Sequence, residues 1–295
     1  GANQTVDQNR LFGSHTRWFC DPGCPDQNLQ ENTVKSWAAQ AVQQSAYPDP
    51  GPVHLNIPFR EPFLTDKQFS LPRVSSPYFQ IGVPRQKLAK EDLQALRQIL
   101  QADLGLVTLG ELPVRAHHSV GNFLEKLNWP VFADTTSGFR FGHLTQRIDL
   151  ADQLLLQDHW RKTEPEAWIH LGNQYVSKRW LQWWQDCDST LKIVITNHSD
   201  RQDPSQRSQW RLQLDWEELE EILPLTGASP ARIQWLEQWK LGSQALEEQM
   251  AQWWDQTEMF GEVSIVRELV RQMPKEHALF VGNSLPIREV DMFSV

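Results

Sequence analysis

Apolar residues recur along the chain at two spacings, one typical of helices and the other of strands. Gln30 to Ser45 carries its apolar residues on one helical face, which predicts a helix. The proline-rich stretch 47–52 ends this pattern, and Val53 to Phe59 is predicted to be a strand. Residues 63–87 combine prolines and serines with few periodic apolar positions, which indicates a linker between domains.

From about residue 88, short apolar runs alternate with helical patterns. The runs that predict strands are 104–109, 130–133, 167–171, 191–195, 211–214 and 278–281. The helical patterns are 91–100, 118–127, a stretch that ends near Gln185, two or three helices within 216–273, and a helix after 281. This alternation predicts an α/β fold, a Rossmann-like parallel sheet of about six strands with helices on both faces.

The composition is that of a folded, acidic protein. Of the 295 residues, 40% are hydrophobic and 22% are charged, and the formal net charge is -9. A packed core is therefore expected, whereas a nucleic-acid partner is not, because it would require a basic face. An acidic ligand would need a local cationic pocket. The three cysteines indicate no disulfide framework and no apolar run is long enough for a membrane span, so we expect a cytoplasmic protein.

Two predicted strand-to-helix junctions carry cations. The first, Leu171–Arg179, places Lys178 in the first turns of its helix, and the second, Val281–Arg288, offers Ser284 as an N-cap with Arg288 one turn further on. Ligands bind at the carboxyl ends of parallel strands and helix N-termini favour anions, so both junctions are candidate carboxylate or phosphate sites. For either junction alone, a solvated or ion-paired cation is the commoner interpretation.

Other groups point to chemistry less strongly. Cys20, Cys24 and His15 fall one ligand short of a tetrahedral zinc site. The tryptophans at helical spacing predict packing in a core or interface, and Arg140 lies in a predicted loop from which it could reach a partner domain. The sequence contains no Walker A motif, no GxGxxG after a strand, no HExxH and no nucleophile elbow.

Several short segments occur together in an order typical of one enzyme family. They are Gly1–Gln4 with Phe12–His15, Val53–Pro62, Pro130–Asp134 with Ser137–Arg140, Ser177–Arg179, Asp200–Pro204 and Phe280–Arg288. Through them the chain resembles an internal fragment of the thiamine-diphosphate-dependent 2-succinyl-5-enolpyruvyl-6-hydroxy-3-cyclohexene-1-carboxylate synthases of menaquinone and phylloquinone biosynthesis. The three-domain plan is shared with acetolactate synthases and pyruvate decarboxylases, whereas the Ser-Lys-Arg and Asn-Ser-Leu-x-x-Arg junctions point to this family.

The resemblance implies a reaction, a cofactor and binding residues. Members of the family decarboxylate 2-oxoglutarate on thiamine diphosphate, held with Mg²⁺ or Mn²⁺, and add the resulting carbanion to isochorismate. Carried over by motif, the residues that bind substrate carboxylate or hydroxyl groups would be Lys178, Ser284, Arg288, Asn3, Gln4 and, with less support, Arg179. The family builds its active sites between subunits, which implies a homodimer or homotetramer.

The resemblance also implies the domain organisation. Residues 1–62 would be the C-terminal remnant of a pyrimidine-binding domain, 63–87 a linker, 88–273 the central domain and 274–295 the start of a diphosphate-binding domain. We expect both ends to be cuts within a longer protein. The family's catalytic glutamate and its metal- and diphosphate-binding motifs would then lie outside the chain, so we expect no catalytic or metal-binding residue within it and no activity from it alone.

Two other functions remain open. A non-catalytic Rossmann-like module that binds an anion or mediates assembly would also lack catalytic motifs, although such a module should not begin and end inside the signatures of other domains. A thiamine-dependent carboligase of the acetolactate-synthase type would act on pyruvate. Pyruvate has one carboxylate and needs fewer cations than Lys178 and Arg288 together supply.

Overall fold

The computed structural model describes residues 6–26, 28–61, 82, 84–222, 227–256, 261–274 and 276–295. The chain divides into two compact units, Gly1–Arg85 and Gln86–Val295. Each unit has its own sheet. The domain boundaries expected from the sequence stay predictions.

The first unit pairs two short strands on either side of a helix in the sequence. Strand β1 (Trp18–Cys20) is parallel to β2 (Val53–Leu55), and helix α1 (Glu31–Ala46) connects them. The predicted strand 53–59 is longer than β2, because β1 offers hydrogen-bond partners only as far as Cys20 and Pro58 has no N–H to donate. Strand β1 itself was not predicted, since three residues show no clear period.

In the described part of the second unit, five strands form one parallel sheet. They are β3 (Gly105–Leu109), β4 (Val131–Ala133), β5 (Ala167–Leu171), β6 (Leu191–Thr196) and β7 (Trp210–Gln213). Their order is β4-β3-β5-β6-β7, and every neighbouring pair is parallel. The predicted α/β class is confirmed. The order reverses at β3, which has β4 on one side and β5 on the other, and open sheets leave a crevice at such a point, outside the carboxyl ends of the strands.

The sixth predicted strand, residues 278–281, is wrong. These residues have no regular secondary structure, and the Phe280 side chain is 100% exposed. A strand needs a neighbour that satisfies its backbone N–H and C=O groups, and none of the described strands lies beside this segment.

Helices cover both faces of the sheet. One face carries α2 (Lys90–Ile99), α3 (His117–Leu127) and α7 (Leu219–Ile222). The other face carries α4 (Ala151–Leu154), α6 (Lys178–Asp186) and α8 (Pro230–Gln256). Alternate strand residues supply the two cores, so that Val107 and Leu106 point to opposite sides. The remaining helices are α5 (Asp158–Arg161), α9 (Glu262–Gln272) and α10 (Leu285–Phe293), and α10 packs on α9 and α4.

Tryptophan rings dominate the core between the sheet, α6 and α8. Phe132 of β4 contacts the rings of Trp180, Trp183 and Trp239, all of which are buried. The predicted packing role of these tryptophans is therefore confirmed. None of the described helices combines the length and the apolar character needed to cross a membrane.

Candidate functional site

The two cation-bearing junctions meet at one cavity. Lys178 and Arg179 begin α6, the helix after β5, and Arg288 lies in the first turns of α10. All three side chains line a cavity of about 340 Å³. The structure thus brings together three of the predicted residues from two distant segments of the chain.

Helix α6 begins at a well-defined cap. The Ser177 hydroxyl oxygen accepts a hydrogen bond from the Trp180 backbone N–H at 3.1 Å and donates to Asp152 Oδ2 at 2.5 Å. Arg179 forms an ion pair with Asp152 Oδ1. Because Asp152 is buried, its carboxylate neutralises Arg179 locally and fixes the start of α6 against α4.

Lys178 and Arg288 differ from Arg179 in that neither forms an ion pair with a described residue. Both side chains are exposed, so their charges remain available to a ligand. Leu285, Arg288 and Met292 of α10 line the same cavity because residues three and four positions apart share one helical face. The arrangement can hold an anionic ligand between a Lys ammonium and an Arg guanidinium.

Ser284 is a further predicted residue, and it does not line this cavity. Ser284 occupies the N-cap position of α10, but its side chain makes no capping hydrogen bond. Its φ of 76° lies in the left-handed region, whereas a capping serine has extended backbone, so the predicted capping role is wrong. Ser284 is exposed and not among the lining residues, and its contact with substrate stays a prediction. Asn3 and Gln4 lie outside the described residues.

Two buried carboxylates beside the cations were not predicted. Asp134, directly after β4, accepts hydrogen bonds from the backbone N–H groups of Thr136 at 2.8 Å and Val176 at 2.5 Å. Asp291 of α10 lines the cavity, and its Oδ1 accepts from the N–H and the hydroxyl of Thr135 at 3.1 and 3.2 Å. An aspartate at the carboxyl end of a buried strand was the available signal for Asp134.

The pKa values of both carboxyls are raised. Removal from water is the largest cause in each case, because it disfavours the charged form. The neighbouring Asp134 raises the pKa of Asp291 further, and the combined effect brings it to about 7, although the Arg140 guanidinium acts in the opposite direction.

Arg140 joins the loop after β4 to the C-terminal helix. Its side chain is 1% exposed, and Nη2 donates to the carbonyl oxygens of Asp291 and Ser294, both at 2.8 Å. The residue therefore reaches the segment 274–295, for which the sequence predicts a further domain. That assignment itself stays a prediction.

Among the described residues, no group of three or more His, Cys, Asp or Glu side chains could hold a metal ion. Cys20 and Cys24 are free thiols.

The second unit is a doubly wound α/β domain with a cavity lined by Lys178, Arg179 and Arg288. A family model described as "Middle domain of thiamine pyrophosphate" matches residues 73–281. Because this match covers more than half of the chain, the chain belongs to the family of thiamine pyrophosphate enzyme middle domains.

Relatives of known name agree with this family. The chain is 30% identical over 306 residues to a 2-succinyl-5-enolpyruvyl-6-hydroxy-3-cyclohexene-1-carboxylate synthase from Rubrobacter xylanophilus, covering 100% of the chain and 53% of that relative. It is 29% identical to the synthase of the same name from Bacillus pumilus, covering 99% of the chain and 52% of the relative. The chain therefore spans about half the length of the curated relatives it matches.

A solved structure shares the fold. The thiamine diphosphate-dependent 4-hydroxybenzoylformate decarboxylase of Rhodococcus jostii RHA1 matches 98% of this chain with a TM-score of 0.58 and 14% sequence identity, over 52% of its own length. At this identity the likeness concerns the fold alone.

Proposed function

We propose that the whole protein containing this chain is a 2-succinyl-5-enolpyruvyl-6-hydroxy-3-cyclohexene-1-carboxylate synthase. It decarboxylates 2-oxoglutarate and joins the remaining four-carbon unit to isochorismate, with release of CO₂, in menaquinone or phylloquinone biosynthesis. The observation that carries the proposal is the meeting of Lys178 and Arg288 at one cavity, each without an ion-pair partner among the described residues. Relatives about 30% identical over the whole chain support it.

The chemistry of the substrates fits this pair of cations. Both substrates are dicarboxylates, and each carboxylate leaves water only if charged donors replace its hydration. The planar guanidinium of Arg288 can bind both oxygens of one carboxylate, and the Lys178 ammonium can act as a point charge on a second anionic group. Arg179, already paired with Asp152, orients the start of α6.

Thiamine diphosphate with Mg²⁺ or Mn²⁺ would supply the carbanion chemistry in the whole protein. The described residues do not fit this group, because none of their acidic, His or Cys side chains cluster as metal ligands. The residues of this chain therefore bind and orient substrate in our proposal. The whole protein would be a cytoplasmic homodimer or homotetramer.

The replacement Arg288→Ala in the whole protein tests the proposal. Following isochorismate consumption with 2-oxoglutarate, thiamine diphosphate and Mg²⁺, we expect kcat/KM to fall roughly a hundredfold or more, because the lost charged hydrogen bonds orient the substrate carboxylate. Arg207→Ala is the matched control. Arg207 is an exposed arginine before β7, at the opposite edge of the sheet, and its surface ion pair with Asp188 contributes little.

The outcomes separate the reaction from the site. Activity in the wild type with a loss confined to Arg288→Ala supports both. Activity with equal rates in Arg288→Ala and Arg207→Ala would place the carboxylate anchor elsewhere. An inactive wild type would contradict the proposed reaction.

A further inference from the structure

The two cations of the cavity come from helices that are far apart in sequence, so something must fix the distance between them. Helix α6 carries Lys178 and helix α10 carries Arg288. One short segment, Asp134 to Arg140, directly after β4, forms hydrogen bonds to the start of α6 and to α10. We call this segment the β4 loop.

The first connection runs from Asp134 to the junction before α6. Asp134 Oδ2 accepts the Val176 N–H at 2.5 Å, two residues before Lys178. Its other oxygen, Oδ1, accepts the Thr136 N–H at 2.8 Å and the Thr136 hydroxyl at 2.6 Å. The Asp134 side chain is 0% exposed, so water does not compete for these bonds and the carboxylate is held from both sides.

The second connection runs from Thr135 and Arg140 to α10. Thr135 donates its N–H and its hydroxyl to Asp291 Oδ1, while Arg140 donates to the Asp291 and Ser294 carbonyl oxygens at the end of the helix. Asp291 lies three residues after Arg288 and therefore on the same helical face. Fixing Asp291 consequently fixes the rotation of α10 that directs Arg288 into the cavity.

We propose that Asp134, Thr135 and Arg140 are positioning residues, which set the spacing and orientation of Lys178 and Arg288 for a single dicarboxylate ligand. This inference rests on the proposed function, in which such a ligand binds between the two cations. A displacement of about 1 Å in a binding group can cost a large part of its contribution, so the placement of these cations requires a rigid support.

The variant Thr135→Val tests the α10 side of this arrangement. It removes the hydroxyl but keeps the shape and the backbone N–H of Thr135. In the whole protein we expect the KM for the dicarboxylate substrate bound at this cavity to rise roughly three- to tenfold, the range that follows from losing one ordinary hydrogen bond. The value of kcat should change less, and Thr135→Ser, which retains the hydroxyl, should restore the wild-type KM.

A positioning role makes a prediction that a purely structural role does not. On an Arg288→Ala background, Thr135→Val should cause no further rise in KM, because the group it positions is gone. The matched control is Thr190→Val. Thr190 is also buried, and its hydroxyl donates to the Pro165 carbonyl at 2.7 Å. These residues precede β6 and β5, so they lie at the amino ends of the strands, whereas the β4 loop lies at the carboxyl ends. Thr190→Val should lower the Tm and leave KM unchanged.

The variant Asp134→Asn tests the connection between the β4 loop and the start of α6. This test does not depend on whether Thr135→Val folds. The amide can accept only one of the two opposed backbone N–H groups, so KM should rise, and the rise should disappear on a Lys178→Ala background. The inference is overturned if either loop variant lowers Tm without raising KM, or if its effect adds fully to that of the cation variant. An Arg288→Ala protein with unchanged KM would overturn the proposed site and this inference with it, but not the reaction. An inactive wild type would overturn the proposed function.

Discussion

At the scale of single residues, burial and charge oppose each other at Asp291. Its side chain is 2% exposed, and its Oδ2 has no hydrogen-bond partner among the described residues. Charged groups from several elements surround it: Asp134 and Arg140 from the β4 loop, Asp152 from α4, and Lys178, Arg179 and Arg288 around the cavity. Burial disfavours the charged form of Asp291 and, as a second cause, the charge of Asp134 repels it, which is why its pKa is raised to about 7.

This shift predicts that stability declines as pH rises. The folded-state pKa of Asp291, about 7, lies above the ordinary value of 3.8, so the folded chain holds a proton that the unfolded chain has released. That stabilisation is complete below the unfolded pKa and is lost as pH rises through the folded one. By urea unfolding, we expect the wild type to be less stable at about pH 8 than at about pH 5 by roughly 1–3 kcal/mol.

The variant Asp291→Asn should remove most of this pH dependence, because its amide does not titrate. Glu91→Gln, at an exposed carboxylate in the first turn of α2, serves as the control and should retain the wild-type difference. If the difference between the two pH values survives in Asp291→Asn, another group is responsible for it.

At the scale of elements, the sequence predicts the bounds of a strand best where helices bury both faces of the strand. Strand β5 was predicted at 167–171 and has those bounds, and β6 differs from its prediction by one residue. Parallel strands covered by helices are continuous apolar runs, which stand out from the polar segments around them. The cations of the site were found for a related reason, since Lys178 and Arg288 follow apolar runs at the point where a helix begins.

The sequence could not show which junctions the β4 loop connects. Asp134 bonds to Val176, 42 residues further along the chain, and Arg140 bonds to Ser294 across 154 residues. No local period reports such a pairing. The strand predicted at 278–281 is wrong because a local apolar pattern does not show whether a neighbouring strand is present. The described sheet offers this segment no neighbour.

Where the strand order reverses, two backbones approach so closely that only glycine fits. Gly110 follows β3, its N–H donates to the Leu171 carbonyl at 2.9 Å, and an added Cβ would overlap the backbone carbonyl of Asn173 in the loop after β5. We expect Gly110→Ala to lower the free energy of unfolding by about 1–3 kcal/mol, because the overlap forces the two loops apart. Urea unfolding of the chain measures this loss.

Gly121→Ala is the corresponding control, and we expect it to raise the free energy of unfolding. Gly121 lies within α3, and an added Cβ would be 3.6 Å from Phe139 Cε1, an ordinary contact. Alanine has a higher helix propensity than glycine, so the free energy of unfolding should rise by about 0.5–1 kcal/mol. Equal effects of the two substitutions would contradict the steric argument at Gly110.

At the scale of the whole molecule, the cation cavity works against the overall charge. The chain carries a formal net charge of -9, so a dicarboxylate approaching it is repelled at long range. Salt at physiological strength screens that repulsion beyond about 8 Å, whereas charges in direct contact are screened much less. Binding therefore depends on the local positions of Lys178 and Arg288. In our proposal the β4 loop sets these positions.

We expect the whole protein, but not this chain alone, to bind thiamine diphosphate tightly. Isothermal titration of the chain with thiamine diphosphate and Mg²⁺ should detect no binding tighter than about 1 μM. The physical reason is that diphosphate is held in proteins largely through a metal with carboxylate ligands, and the described residues contain no cluster that could hold a metal ion. The whole protein, titrated in parallel, should bind the pair tightly. Tight binding to the chain alone would mean that it holds a cofactor site of its own, and the cavity at Lys178 and Arg288 would then need to be considered for a diphosphate rather than for carboxylates.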